Sequence, residues 1–280
     1  MKKTIIKDTN GNTKHRPFLK WAGNKYRVLP HIEAILPEGK RLIEPFAGSA
    51  AVFLNTNYAR YLISDNNPDL INLYKILKKD GADFIKKCRR MFTEKNNNED
   101  RYYKFREEFN RTTDINRKAI LFLYFNRHGY NGLCRYNQKG GFNVPFGRYT
   151  KPYFPEKEML FFHKKAQKAV FKLSDFSSVM SKSRCGDVIY CDPPYVPLTK
   201  SANFTSYSAG GFNENQQIQL AELAKELSVK GVPVLISNHN TRFTQRSYRS
   251  ALTVKQFNVR RFISCKGSQR NQAAELLALF

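Results

Sequence analysis

Two kinds of hydrophobic spacing divide this chain. Short apolar runs closed by acidic or glycine-bearing turns occupy residues 41–65 and again 187–280, whereas spacing of three and four residues dominates between them. Arg41-Leu42-Ile43-Glu44 predicts a strand, residues 45–49 a tight loop, and residues 50–57 the start of a helix. A second strand, Tyr61-Leu62-Ile63-Ser64, ends at Asp65. Strand signals then stop until Val188. Residues 84–92, 102–109 and 117–125 carry helical spacing, and residues 127–153, rich in Gly, Asn, Tyr and Arg, predict a loop or hairpin. The run Asp187-Val188-Ile189-Tyr190-Cys191 reopens the sheet. Leu220, Leu223, Ala224 and Leu227 place an apolar stripe on a helix over residues 214–229, with Asn213 as N-cap and Gln216 three residues later. A buried strand over 232–237 follows, with Pro233 near its start, where a missing donor does least harm. A helix at 241–250 and strands at 253–259 and 274–280 complete the pattern.

The connection between Asp65 and Asp187 is too long to be a simple loop in a compact domain. The chain is therefore expected to be α/β, a Rossmann-like sheet interrupted by an inserted, mainly helical subdomain. Residues 1–16 are expected to form a flexible basic arm, 17–80 and 187–280 the sheet domain, and 81–186 the insertion. No internal repeat or long low-complexity segment is visible.

Charge narrows the partner. The 280 residues hold 48 Lys and Arg against 23 Asp and Glu, a formal net charge of +25. A polyanion fits that excess, and its distribution matters more than its sum. Residues 81–186 contain 23 basic and 10 acidic residues, so the charge belongs to the fold and not to a detachable tail. Five cysteines without a Cys-x-x-Cys pair suggest neither a disulfide framework nor a zinc site, which fits a reducing cytoplasm. The five histidines form no ligand cluster, and no metal is expected. Met1-Lys2-Lys3 imitates a leader, but only Ile5 and Ile6 precede Lys7, and no apolar run would span a bilayer.

The candidate chemistry gathers after the reopened sheet. Asp192-Pro193-Pro194-Tyr195 follows a buried-strand run, the position at which open α/β sheets bind and transform ligands. This suits methylation of an exocyclic amine on a planar ring. Asp192 would accept one N–H, a proline carbonyl of the Pro193-Pro194 turn the other, and Tyr195 would stack on the ring. Both acceptors would withhold the nitrogen lone pair from the ring and aim it at an incoming methyl group. The loop Glu44-Pro45-Phe46-Ala47-Gly48-Ser49-Ala50 has neither dinucleotide nor P-loop glycine spacing. One glycine still allows close backbone approach, Phe46 could cover an adenine, and Asp65 stands where α/β nucleotide sites hold ribose hydroxyls.

With these motifs in hand, the chain resembles the DNA adenine methyltransferase (Dam) family, α-type amino-methyltransferases that modify adenine N6 in GATC. The resemblance rests on residues 18–26 around Trp21-Ala22-Gly23, on 44–55, on 124–137 and 142–149, on Asp192-Pro193-Pro194-Tyr195, on Ala202-Asn203-Phe204-Thr205 and on 235–239. It implies an S-adenosylmethionine site made by Trp21, Ala22, Gly23, Lys25, Phe46, Asp65 and Asp192. It also implies a reader of double-stranded DNA in the insertion. Arg135 would contact a guanine bidentately and Lys20 another; Leu133 and Pro145 would lie against a thymine methyl. Tyr130 would wedge into the stack and Asn131 would hold the opened site. Arg127, Asn137, Asn143 and Arg148 become phosphate or groove contacts, with Tyr149 lining the interface. Ala50 and Asn24 stand where the family often has glycine, so cofactor affinity is expected to differ if either needs a positive φ. Base flipping is required, because a stacked and paired adenine cannot present its amine. No obligatory protein partner is expected.

Other readings stay open. The same chemistry could act on another DNA sequence or on RNA, and a catalytically idle nucleic-acid-binding regulator would share the charge. Cytosine-C5 transfer is excluded by the lack of a Pro-Cys pair, and His239 after Ser237-Asn238 is expected to support the site structurally.

Overall fold

The computed structural model describes residues 14–196, 212–260 and 272–280. Most of the expected basic arm and the 202–205 motif lie outside the described residues. One seven-stranded sheet runs β3-β2-β1-β4-β5-β7-β6. Its members are β1 (Arg41–Glu44), β2 (Arg60–Asp65), β3 (Ala169–Leu173), β4 (Asp187–Cys191), β5 (Val234–His239), β6 (Thr253–Arg260) and β7 (Gln272–Leu279). The first five are parallel, whereas β7 runs antiparallel between β5 and β6. Connections leave β1 toward β2 on one side and β4 toward β5 on the other, so the strand order reverses between β1 and β4. That switch point is where open α/β sheets leave a crevice at the carboxyl ends.

The helices are α1 (Leu29–Glu33), α2 (Ala51–Asn55), α3 (Pro68–Arg89), α4 (Glu99–Arg111), α5 (Ile115–His128), α6 (Glu156–Ala166), α7 (Phe176–Met180), α8 (Glu214–Val229) and α9 (Arg242–Ser247). Local chemistry explains several boundaries. Asn213 and Gln216 form the expected capping box at α8, and Thr241 and Thr244 form another at α9. Asn67, Asn98 and Asp114 cap α3, α4 and α5 with their side-chain oxygens.

Two features correct the strand and helix pattern expected between Asp65 and Asp187. The first is β3, which pairs with β2 from Tyr61↔Ala169 to Asp65↔Leu173, inside the stretch where the spacing predicts no strand. As the outermost strand it buries Ala169 and Phe171 but leaves Val170 and Leu173 exposed, so its five residues lack a long apolar run. The second is α3, whose Pro68–Arg89 span joins two helical stretches across a kink. It bends at Gly81, whose φ of 45° is non-helical, and the imidazole of His163 fills the space a Cβ would need there, 2.6 Å away.

The expected departure at Ala50 has a backbone consequence. Ala50 sits at the start of α2 with φ 58° and ψ 35°. A left-handed alanine costs about 1–2 kcal/mol, whereas its buried methyl returns about 0.8 kcal/mol. Ala50→Gly is therefore expected to stabilise the protein by about 0.2–1.2 kcal/mol in urea melts. Asn24, by contrast, has φ −50° and caps the following 3-10 turn, so it replaces a glycine without strain.

Candidate active site

The carboxyl ends of β1, β2, β4 and β5 bring the expected residues into one crevice. Gly48 (φ 44°) lies against Trp21 so closely that a Cβ would meet the indole Nε1 at 2.9 Å. The Tyr74 hydroxyl donates to Gly48 O over 2.5 Å and fixes the loop from beneath. Asp65 is held by two backbone donors, Gly48 N at 3.1 Å and Asn67 N at 3.0 Å. Burial raises the Asp65 pKa against these donors, and its carboxylate retains lone pairs for further donors. Phe46 stacks on Phe176 with centroids 5.5 Å apart and meets Phe212 edge-on, forming an aromatic wall beside the loop. Ala22 and Gly23 (φ 74°) lie on the short turn before Lys25.

Lys25 connects this turn to the tetrad. Its ammonium lies 2.7 Å from Asp192 Oδ1, donates to Gly23 O over 2.5 Å, and sits 4.5 Å from the centroid of the Tyr195 ring. A carboxylate, a carbonyl and an aromatic face thus converge on one nitrogen. Burial raises the Asp192 pKa, opposed by Lys25 and Ser237. The two prolines differ. Pro194 O accepts from Gln217 Nε2 over 2.8 Å, while Pro193 O has no partner among the described residues. Gln217 in turn accepts from Asn238 Nδ2 over 3.0 Å, and Asn238 receives Val196 N and His239 N. This buried amide network sets the path of the tetrad. The Tyr195 hydroxyl donates to Glu275 Oε2 over 3.1 Å, because antiparallel β7 places Glu275 opposite His239. His239 packs edge-on to Tyr195 and binds Val196 O through Nδ1, a supporting position.

Glu44, at the end of β1, is a buried carboxyl whose Oε1 lacks a hydrogen-bond partner. Burial first, then the nearby Asp192 charge, raise it from 4.5 to about 8. Between those values the folded chain holds a proton that the unfolded chain releases, so this group's contribution to stability is lost as pH rises from about 4.5 to about 8. Glu44→Gln is expected to remove this decline, on the order of a few kcal/mol, when unfolding free energy is measured across that window.

The expected DNA-contacting residues gather on the loop after α5, with exceptions. Arg135 is exposed, and its guanidinium is oriented by Asn143, whose Oδ1 and carbonyl accept at 2.9 and 3.1 Å. Tyr130 is exposed, Asn131 has φ 53°, and Asn131 N donates to the Tyr149 hydroxyl over 2.9 Å. Lys20 Nζ lies 4.3 Å from the centroid of the same Tyr149 ring. Leu133 is half-buried and Pro145 exposed, while Tyr130 N donates to Pro145 O. Arg148 is exposed but spends one nitrogen on Glu99 at 3.3 Å. Asn137 accepts from Lys139 N and Gly141 N, shaping the turn at its own position.

Arg127 stands apart from the exposed group. It is buried, it donates to Phe18 O, and burial lowers its pKa to about 10. As placed, it anchors the N-terminal segment to α5 and is not presented to solvent. Asn126, missed in the sequence, anchors the same segment. Its Oδ1 accepts from Lys20 N at 2.9 Å, and its Nδ2 donates to Lys20 O and Gly132 O. Its position on a helix flank gave no composition signal. Gln217, Ser237 and Glu275 were missed as well, because their roles depend on how α8, β5 and β7 are placed in the fold and not on neighbours in sequence. Among the described residues, no group of three or more His, Cys, Asp or Glu gathers as metal ligands, and no helix is long and apolar enough to cross a membrane.

The profile of the D12 class N6 adenine-specific DNA methyltransferase family matches residues 21–261. DNA adenine methylase of Vibrio cholerae is 50% identical over 269 residues, covering 95% of this chain and 96% of the relative. The enzyme of that name from Escherichia coli K12 is 50% identical over 267 residues, with the same shares covered. That from Serratia marcescens is 51% identical over 268 residues, covering 95% of this chain and 99% of its own.

Proposed function

Because the chain belongs to the D12 class of N6 adenine-specific DNA methyltransferases, we propose that it uses S-adenosylmethionine to methylate adenine N6 within GATC in duplex DNA, after flipping the base. The observation that carries the reading is the Lys25 ammonium held by Asp192, Gly23 O and the face of Tyr195. A site that binds an N–H donor above an aromatic ring is complementary to a flipped adenine amine.

The residues present fit the methyl donor. The Gly48 cradle would be filled by any Cβ, Phe46 and Phe176 offer an aromatic wall, and Asp65 can accept from ribose hydroxyls. S-adenosylmethionine, when bound, supplies an electrophilic methyl group. Asp192 accepts one amine N–H and the Pro193 carbonyl, without a partner among the described residues, the other, which leaves the nitrogen lone pair out of ring delocalisation. As the amine gains carbon it must lose a proton, and the half-buried Asp192 carboxylate, its pKa raised by desolvation, is the acceptor in reach. Tyr195 stacks on the base, worth about 1–3 kcal/mol, against an extrusion cost of a few kcal/mol. Tyr130 fills the gap left in the duplex. The excess of basic residues, 48 against 23 acidic, draws the chain to the phosphates.

On this reading Arg135 meets a guanine in the major groove, with Lys20 on another and Leu133 and Pro145 against the thymine methyl. On charge alone, RNA or another DNA sequence would serve, so the test is a set of duplexes in which each GATC base is changed in turn, beside an RNA control. Methylation confined to the intact site supports the proposal. Equal rates on all duplexes reject the sequence assignment.

A further inference from the structure

A pair of hydrogen bonds ties the loop that carries Arg135 to the segment that carries Asp65. On one side of Arg135, Asn67 Nδ2 donates to Cys134 Sγ over 3.5 Å. On the other, the Tyr136 hydroxyl donates to Asp69 Oδ2 over 2.6 Å. Both anchors sit at the start of α3, where Asn67 caps the helix and its own N–H reaches Asp65. Asp65 in turn receives Gly48 N, so a continuous chain of contacts runs from the glycine loop to both neighbours of Arg135. Asp69 is 7% exposed and also faces Lys118 Nζ at 3.5 Å, while Tyr136 packs edge-on to Phe142. The arginine between the two anchors is exposed, and Asn143 orients its guanidinium.

We infer that Tyr136 and Asp69 are positioning residues for target recognition, holding the backbone of Arg135 at a set distance from the catalytic crevice. The inference rests on the proposed reading of guanine by Arg135. Bidentate contact to a base edge needs a fixed origin for the side chain, and a reader on a loop has that only if its supports are locked. Asn143 fixes the guanidinium; Tyr136 and Asp69 fix what lies behind it.

The test compares full-length Tyr136→Phe, Asp69→Ala, Asp69→Asn and Arg135→Ala for kcat and KM on a GATC duplex and on one lacking the guanine. Tyr136→Phe is expected to reduce discrimination between the two duplexes about tenfold through KM, leaving kcat and donor affinity in the absence of DNA unchanged. Asp69→Ala is expected to match it, and the double variant to be no worse than either single. Asp69→Asn, which keeps an acceptor oxygen, is expected to retain most of the discrimination. Full discrimination in Tyr136→Phe beside its loss in Arg135→Ala overturns this inference alone. Full discrimination in Arg135→Ala overturns the reading on which it stands.

Discussion

Asp192→Ala is expected to lower the single-turnover methylation rate about 10²- to 10³-fold or more, while DNA affinity stays close to that of the unchanged protein. The carboxylate is the charged acceptor assigned to the amine, and water cannot take its place with the same orientation inside the crevice. Truncation also strands Lys25, whose side chain is 6% exposed and whose ammonium would lose its carboxylate partner. Asp192→Asn separates shape from charge: it keeps the volume but offers the amine a donor beside one acceptor. A comparable rate loss in both variants, measured by rapid quench with DNA binding followed separately, assigns the effect to the carboxylate. Unchanged turnover in Asp192→Ala would reject the assigned chemistry.

Arg135→Ala is expected to cost about 1–3 kcal/mol of discrimination at one guanine, a factor of roughly 5 to 150 in relative kcat/KM. Because Arg135 is exposed and, among the described residues, its guanidinium bonds only to Asn143, the same change is expected to leave the melting temperature almost unaltered. That separation distinguishes a reader from a structural arginine. Arg127 supplies the contrast: its guanidinium is buried against Phe18 O, so its removal reaches DNA only through the fold. Competition assays with single-base substitutions check the first statement, and thermal unfolding checks the second.

What the sequence revealed depended on how local the cause was. β1, β2 and β4 were legible because each is a short apolar run closed by an acidic residue, Glu44 and Asp65 at the ends of the first two and Asp192 just after the third. The α8 boundary was legible because its capping box lies within four residues. Edge strand β3 was not, since Val170 and Leu173 remain exposed and no turn signal brackets it. The tetrad was visible as a motif, but not the amide network of Gln217 and Asn238 that holds it, nor Glu275 on Tyr195. The Glu275 contact requires β7 to run backward beside β5, and the amide network requires α8 to pack over the end of β5, properties of topology that no spacing encodes. The concern about a positive φ was well placed at Ala50 and misplaced at Asn24, because the first joins a strand loop to a helix and the second is itself a cap.

The decisive measurement is transfer of a labelled methyl group from S-adenosylmethionine to a GATC duplex, followed by digestion to nucleosides and identification of the labelled product. Label on N6 of the adenine in GATC, and its loss when Asp192 is replaced, is the predicted result. Folded protein that places no label on adenine in that duplex would contradict the account.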